Sequence, residues 1–123
     1  MKRILVIDDD AILLKTVKAV LTAEGYDVAT ADDGVEGLNL YDQGGFDLVI
    51  TDILMPNKNG IKTISHIRKV DTETPILAIS GANETGTLNN LMVARMVGAT
   101  ETLAKPFEKK ALIGCVEDCF PGN

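Results

Sequence analysis

The sequence has 123 residues, 46% of them hydrophobic, with 12 basic against 18 acidic side chains and a formal charge of −6. That length is expected to form one domain over 1–123, able to bury roughly two thirds of its unfolded surface. The negative charge opposes the phosphate neutralisation that nucleic-acid binding depends on, so no direct DNA or RNA contact is expected. No apolar run reaches membrane-spanning length, and the run after Lys2 and Arg3 is too short for a signal-peptide core, so the expected location is cytoplasmic with no membrane contact.

Along the chain, β-branched apolar runs alternate with stretches of helical period. Strands are expected over 3–8, 26–31, 47–51, 75–80 and 100–104. The first helix, 11–24, carries Ile12, Leu13, Val17, Val20 and Leu21 at the spacing of one helical face, and Gly25 stands where a left-handed cap would end it. Further helices are expected over 35–43, 61–69, 89–97 and 108–119, punctuated by Gly34, Gly44, Gly45, Gly60 and Gly98. This order predicts an α/β fold, a doubly wound five-stranded parallel sheet of order 2-1-3-4-5 with helices on both faces, as in flavodoxin-like (βα)5 proteins.

Right-handed crossovers bring the carboxyl ends of all parallel strands to one edge of the sheet, where ligands of such folds bind. Asp8, Asp9 and Asp10 close the first strand, Asp52 follows the third, Ser80 ends the fourth and Lys105 follows the fifth. With strands one and three adjacent, Asp8, Asp9 and Asp52 come close together, and two carboxylates 4 Å apart repel by roughly 4 kcal/mol at an effective dielectric near 20. Protons or a cation must compensate. Oxygen donors without histidine or thiolate suit a hard ion, and a few carboxylates plus water suit Mg2+ better than Ca2+. A cation and a lysine around one carboxylate are also what phosphoryl transfer to that carboxylate needs. Asp52 stands alone and is the best nucleophile candidate, while Ser80 has a hydroxyl to donate to a phosphoryl oxygen. Asp10 fits better as the N-cap of the first helix than as a ligand.

Four segments, VIDDD, DLVITDILMP, ILAISG and LAKPF, make the chain resemble a two-component response-regulator receiver domain over essentially its whole length. The resemblance implies that Asp52 accepts a phosphoryl group from a histidine kinase or phosphotransfer protein. It implies Mg2+ held by Asp9 directly, by Asp8 mainly through water, by Asp52 and by the backbone carbonyl of Leu54. Lys105 would pair with the phosphoryl group and precede a cis bond to Pro106, and Ser80 would carry the change to a surface that meets a downstream protein target. On this reading the chain is a signalling switch that catalyses only its own phosphorylation and dephosphorylation, either alone or as part of a longer protein.

The sequence departs from the family at Thr102, where many receivers carry an aromatic ring that swings inward, so the output is expected to depend on the fourth helix and the loop before it. That stretch is a few residues longer than usual and rich in Gly, Asn and Thr, a composition that favours loop over helix. Leu54 occupies a position at which family members tune the lifetime of the phosphoryl group, and Met55, Pro56 and Gly60 read as a turn that shapes the loop after Asp52. His66, Lys109 and Lys110 read as surface residues, and Asn83-Glu84-Thr85 as a chance glycosylation motif. Cys115 and Cys119 lack further metal ligands and read as small apolar residues of a reduced protein. The alternatives are a receiver-fold scaffold independent of phosphorylation, a haloacid-dehalogenase-type phosphohydrolase and a flavin binder. Retention of the five polar residues argues against the scaffold. Ala11 and Ile12 spoil the phosphohydrolase motif, and three aspartates after the first strand would repel a flavin phosphate.

Overall fold

The structure is a computed structural model that describes residues 1–53, 60–81 and 87–120, with the backbone alone for 87–90. Ten elements alternate: β1 (Arg3–Ile7), α1 (Ala11–Ala23), β2 (Asp27–Ala31), α2 (Gly34–Asp42), β3 (Leu48–Asp52), α3 (Gly60–Val70), β4 (Ile76–Gly81), α4 (Thr87–Val97), β5 (Glu101–Lys105) and α5 (Lys109–Asp118). The strands form one parallel sheet in the expected order β2-β1-β3-β4-β5.

The central strands are apolar on both faces because helices cover both. Ile4 and Val6 of β1 point to the layer of α1 and α5, where Leu14, Val17, Leu21, Leu112, Val116 and Phe120 close over them. Leu5 and Ile7 point to the layer of α2, α3 and α4, against Leu38, Ile64, Ile67 and Ala94. Each fully buried Leu or Ile contributes about 1.5–3 kcal/mol, so these two layers hold the sheet edge that carries the polar residues.

Capping sets where the helices begin. The Asp10 side chain accepts from the backbone N–H groups of Ile12 and Leu13 at 3.0 and 3.1 Å, as expected of an N-cap. Asp33 does the same for Glu36 at 2.8 Å, so α2 starts at Gly34, one residue early. Gly25 follows α1 with φ +96°.

Three expectations need correction. In α1 the buried stripe is Leu14, Val17 and Leu21, flanked by Leu13 and Val20, whereas Ile12 is 78% exposed. The stripe follows the line of strands beneath it, and Ile12 falls off that line. Helix α4 begins at Thr87, before the expected 89, so part of the Gly/Asn/Thr-rich stretch is helical; residues 82–86 lie outside the described residues. Strands β3, β4 and β5 each start and end one residue later than expected, so their last residues are Asp52, Gly81 and Lys105, whereas β1 ends at Ile7, one residue before Asp8.

Candidate functional site

Strand register assembles the site. Ile7 lies level with Thr51, Asp52 with Ile79, and Ser80 with Ala104, so Asp8 just past β1, Asp52 and Lys105 at the ends of β3 and β5, and Ser80 one residue before the end of β4 lie together on the carboxyl edge. Asp8 is 2%, Asp52 5% and Ser80 0% exposed, while Asp9 faces solvent. Backbone bonds fix the first two: the Asp8 N–H donates to Ala31 O at 3.1 Å, and the Ile53 N–H donates to Ile79 O at 2.9 Å.

Lys105 Nζ donates to Asp8 Oδ2 at 3.0 Å and to Asp52 Oδ2 at 3.3 Å. Burial works against its ammonium, but the two carboxylates outweigh that and raise its pKa. Burial also lifts Asp8, partly offset by the Asp10 N–H that donates to Asp8 Oδ1 at 2.9 Å and by Lys105. Asp52 is pushed up to about 6, first by burial and then by the Asp8 charge, with Lys105 pulling the other way. One lysine thus faces two buried carboxylates and leaves their repulsion only partly relieved.

Among the described residues, two buried side-chain atoms of this site remain without partners. Asp52 Oδ1 and Ser80 Oγ are both buried and both lack a hydrogen bond. An orphaned buried polar group costs about 1–3 kcal/mol, so a site that keeps one acceptor and one donor unpaired is built to receive something. One oxygen from each of Asp8, Asp9 and Asp52 lies within 4.8 Å of the other two, a spacing one ion can bridge. Three carboxylates against one lysine, with no imidazole or thiolate in the group, fit a hard cation that keeps waters, as Mg2+ does.

Gly60, the first residue of α3, is held against the acceptor strand: its N–H donates to Ile53 O at 2.6 Å, and an added Cβ would sit 2.1 Å from the Asp52 carbonyl oxygen. Only glycine permits that approach. Leu54, Met55 and Pro56 lie outside the described residues. The Lys105–Pro106 bond is cis, as expected. Thr102 pairs in register with Ala78 and is half-buried. His66, Lys109 and Lys110 are exposed. Both cysteines are free; burial pushes the Cys119 thiol up to about 12, so it behaves as an apolar core group beside Phe120. The bond from Lys105 to Asp8 was not foreseen, because it joins residues 97 positions apart and no local pattern signals it.

A family model described as response regulator receiver domain matches residues 4–117. Among curated proteins, the transcriptional regulatory protein GlrR of Escherichia coli strain K12 is 35% identical over 117 residues, covering 95% of this chain and 26% of that protein. The cell cycle transcriptional regulator CtrA of Caulobacter vibrioides is 33% identical over 111 residues, covering 90% and 47%. The chain therefore spans about a quarter to a half of these relatives. Among solved structures, a response regulator receiver domain protein from Clostridium thermocellum superposes with TM-score 0.89 at 30% identity, covering 97% of this chain and 94% of that one. The chemotaxis response regulator CheY4 of Vibrio cholerae gives 0.87 at 30%, covering 97% and 98%. No helix among the described residues is long and apolar enough to cross a membrane. Fold order, the convergence of acid, hydroxyl and lysine at one sheet edge, and a match over nearly every residue lead to one conclusion: the chain belongs to the response regulator receiver domains, the signalling domains of two-component systems.

Proposed function

We propose that Asp52 is the phosphoacceptor. The observation that carries this is the unpartnered Asp52 Oδ1 beside an unpartnered Ser80 Oγ, with Lys105 already bonded to Asp52 Oδ2. An Asp52 oxygen attacks the phosphorus of a phosphohistidine on a partner kinase or phosphotransfer protein. The phosphorus–nitrogen bond breaks, and its electron pair returns to the imidazole. Lys105 then pairs with a phosphoryl oxygen, and the Ser80 hydroxyl donates to another, which supplies the partners both groups lack. Asp8, Asp9 and Asp52 would hold Mg2+, joined by the Leu54 carbonyl that the family resemblance implies, and the ion would supply positive charge to the phosphoryl oxygens.

Ser80 lies on β4, which leads to α4, and Met92, Val93 and Met96 of α4 are exposed. An exposed apolar face beside the strand that meets the phosphoryl group supports a switch in binding to a downstream protein. A charge of −6 supports protein contacts over direct nucleic-acid contact for this domain, with a cytoplasmic kinase as donor. A scaffold that no longer uses phosphate would have no need of the two orphaned atoms.

Intact-protein mass spectrometry after incubation with a small phosphodonor and Mg2+ tests the proposal. One added phosphoryl group is expected, absent in Asp52→Asn and absent with EDTA. An adduct that persists in Asp52→Asn would place the acceptor elsewhere. No adduct, together with no Mg2+-dependent binding of beryllofluoride, would favour the scaffold.

A further inference from the structure

The two outer strands of the sheet, β2 and β5, are guarded differently. Across β5, Arg95 of α4 reaches Glu101 at 3.5 Å. Strand β2 pairs with β1 in unbroken register from Asp27 to Ala31, and after Asp27 it consists of Val28, Ala29, Thr30 and Ala31, with no proline, bulge or charged side chain. Edge strands usually carry one of those features, which discourage a further strand from adding. The Asp27 N–H donates to Lys2 O and Ala31 O accepts from the Asp8 N–H, so residues 27, 29 and 31 turn their backbone toward β1. Strand alternation then turns the N–H and C=O of Val28 and Thr30 outward, away from the sheet.

A groove of about 410 Å³ runs beside that outer side, lined by Leu14, Lys15 and Lys18 of α1 and by Thr30, Asp32 and Glu36. Helix α1 runs against the direction of the strands, so it passes from Ala11 at the carboxyl edge to Lys18 toward the amino edge, a rise of about 10 Å. Asp32 follows β2 at the carboxyl edge. The groove is therefore negative at its carboxyl end and positive toward its amino end. No ion pair among the described residues joins these lysines to these acids. Glu36 instead shares a hydrogen bond with the Asp32 side chain, and that contact raises its pKa. Such a groove favours a cation beside the two acids and an anion beside the two lysines.

We propose that the outer side of β2 takes up an extended segment of a partner protein as a sixth strand, antiparallel to β2, with a basic side chain against Asp32 and Glu36 and, two residues later, an acidic one against Lys15 and Lys18. Backbone bonds to Val28 and Thr30 supply the affinity, and the charged groove selects the segment. Antiparallel pairing is the more stable per residue, and a free segment has no connection that prevents it. Side chains two residues apart share one face of a strand about 7 Å from each other, within the about 10 Å that α1 spans along the groove. The contact does not depend on phosphoryl chemistry at Asp52.

The test is fluorescence anisotropy of a labelled peptide, Thr-Val-Lys-Val-Glu-Val-Thr, with the full chain at low salt. Methylating the peptide amides on one alternate set of residues is expected to abolish binding, and methylating the other set to leave it. Lys15→Glu/Lys18→Glu should bind about tenfold more weakly, whereas Lys109→Glu/Lys110→Glu changes net charge equally and should bind as the wild type does. Thr30→Pro removes an outward N–H without touching the bonds to β1 and should lose the peptide. Peptide-induced amide shifts should fall on residues 27–32. If Thr30→Pro does not fold by circular dichroism, the methylated peptides carry the test of backbone pairing. Equal affinity for all methylated peptides, equal weakening in both double variants, no binding by the wild type, or dimerisation of the protein alone that Thr30→Pro abolishes in analytical ultracentrifugation would each overturn the proposal.

Discussion

The two edges of the sheet treat their aspartates in opposite ways. At the carboxyl edge, Asp52 is buried beside Asp8, keeps one oxygen without a partner and has its pKa pushed up to about 6, by burial before all else. At the amino edge, Asp71 accepts from the hydroxyls of Thr74 and Tyr41 and from the N–H groups of Thr74 and Glu73, and these bonds hold its carboxyl well below the usual range. The Tyr41 phenol is raised to about 12, by burial and then by Asp71. Arg68 completes that edge by donating to the carbonyls of Gly98, Asp71 and Thr74. One edge satisfies its polar groups and ties α2, α3 and the turn before β5 together. The other withholds partners from its polar groups, as a site must if a ligand is to supply them.

If that division is right, stability should be concentrated at the edge that does no chemistry. Arg68→Ala strips a donor from three carbonyls and is expected to cost about 3 kcal/mol, read as a lower urea midpoint at unchanged slope. A loss under about 1 kcal/mol would mean that water replaces the guanidinium and that the amino edge is not a clamp. Asp71→Asn is next, at about 1–3 kcal/mol, because a neutral amide serves its donors less well than a carboxylate. This second variant also has a sign in pH. The folded pKa of Asp71 lies below its ordinary 3.8, so the stability it contributes is complete above that value and is lost as pH falls below it. Asp71→Asn should therefore lose less stability than the wild type on acidification below about pH 4. Parallel curves for the two proteins would remove the charge from the account of this edge.

How much of each edge could be read in the sequence follows from the same contrast. The carboxyl edge was legible because parallel topology turns each strand end into a map position: Asp8, Asp52, Ser80 and Lys105 each close a run of apolar residues, and the sheet order then brings them together. The expected bounds of β3 and β5 lie one residue early at both ends, because Asp52 and Lys105 are polar and the apolar pattern stops before them. The amino edge was invisible. Tyr41 and Asp71 are 30 residues apart, and an Asp after a helix reads as a turn residue whether or not a tyrosine reaches it. Ile12 misled because spacing alone cannot tell which flank of an apolar stripe faces the strands.

The carboxyl edge should answer substitution with the opposite sign. In metal-free buffer at neutral pH, Asp52→Asn removes a buried charge that faces Asp8 and leaves Lys105 paired with Asp8 alone. It is expected to stabilise the fold by about 1–2 kcal/mol in thermal or urea unfolding. Destabilisation would mean that the Lys105–Asp52 bond holds the fold more strongly than the repulsion and burial oppose it, and the contrast between the edges would weaken.

The smallest effect is the sharpest discriminator. Ser80→Ala deletes a buried hydroxyl that has no hydrogen bond, so it removes a desolvated group without breaking a contact. Unfolding should shift by no more than about 0.5 kcal/mol in either direction, since the small cavity offsets the relief of an unpaired donor. The yield of phosphorylated Asp52 from a small phosphodonor should nonetheless fall, because the hydroxyl finds its acceptor only when the phosphoryl group is present. A stability loss with unchanged phosphorylation would make Ser80 a packing residue and remove one of the two orphaned atoms from the site. The predicted pairing of neutral stability with impaired transfer would place its interaction energy in the phosphorylated state alone, which is what a switch residue requires.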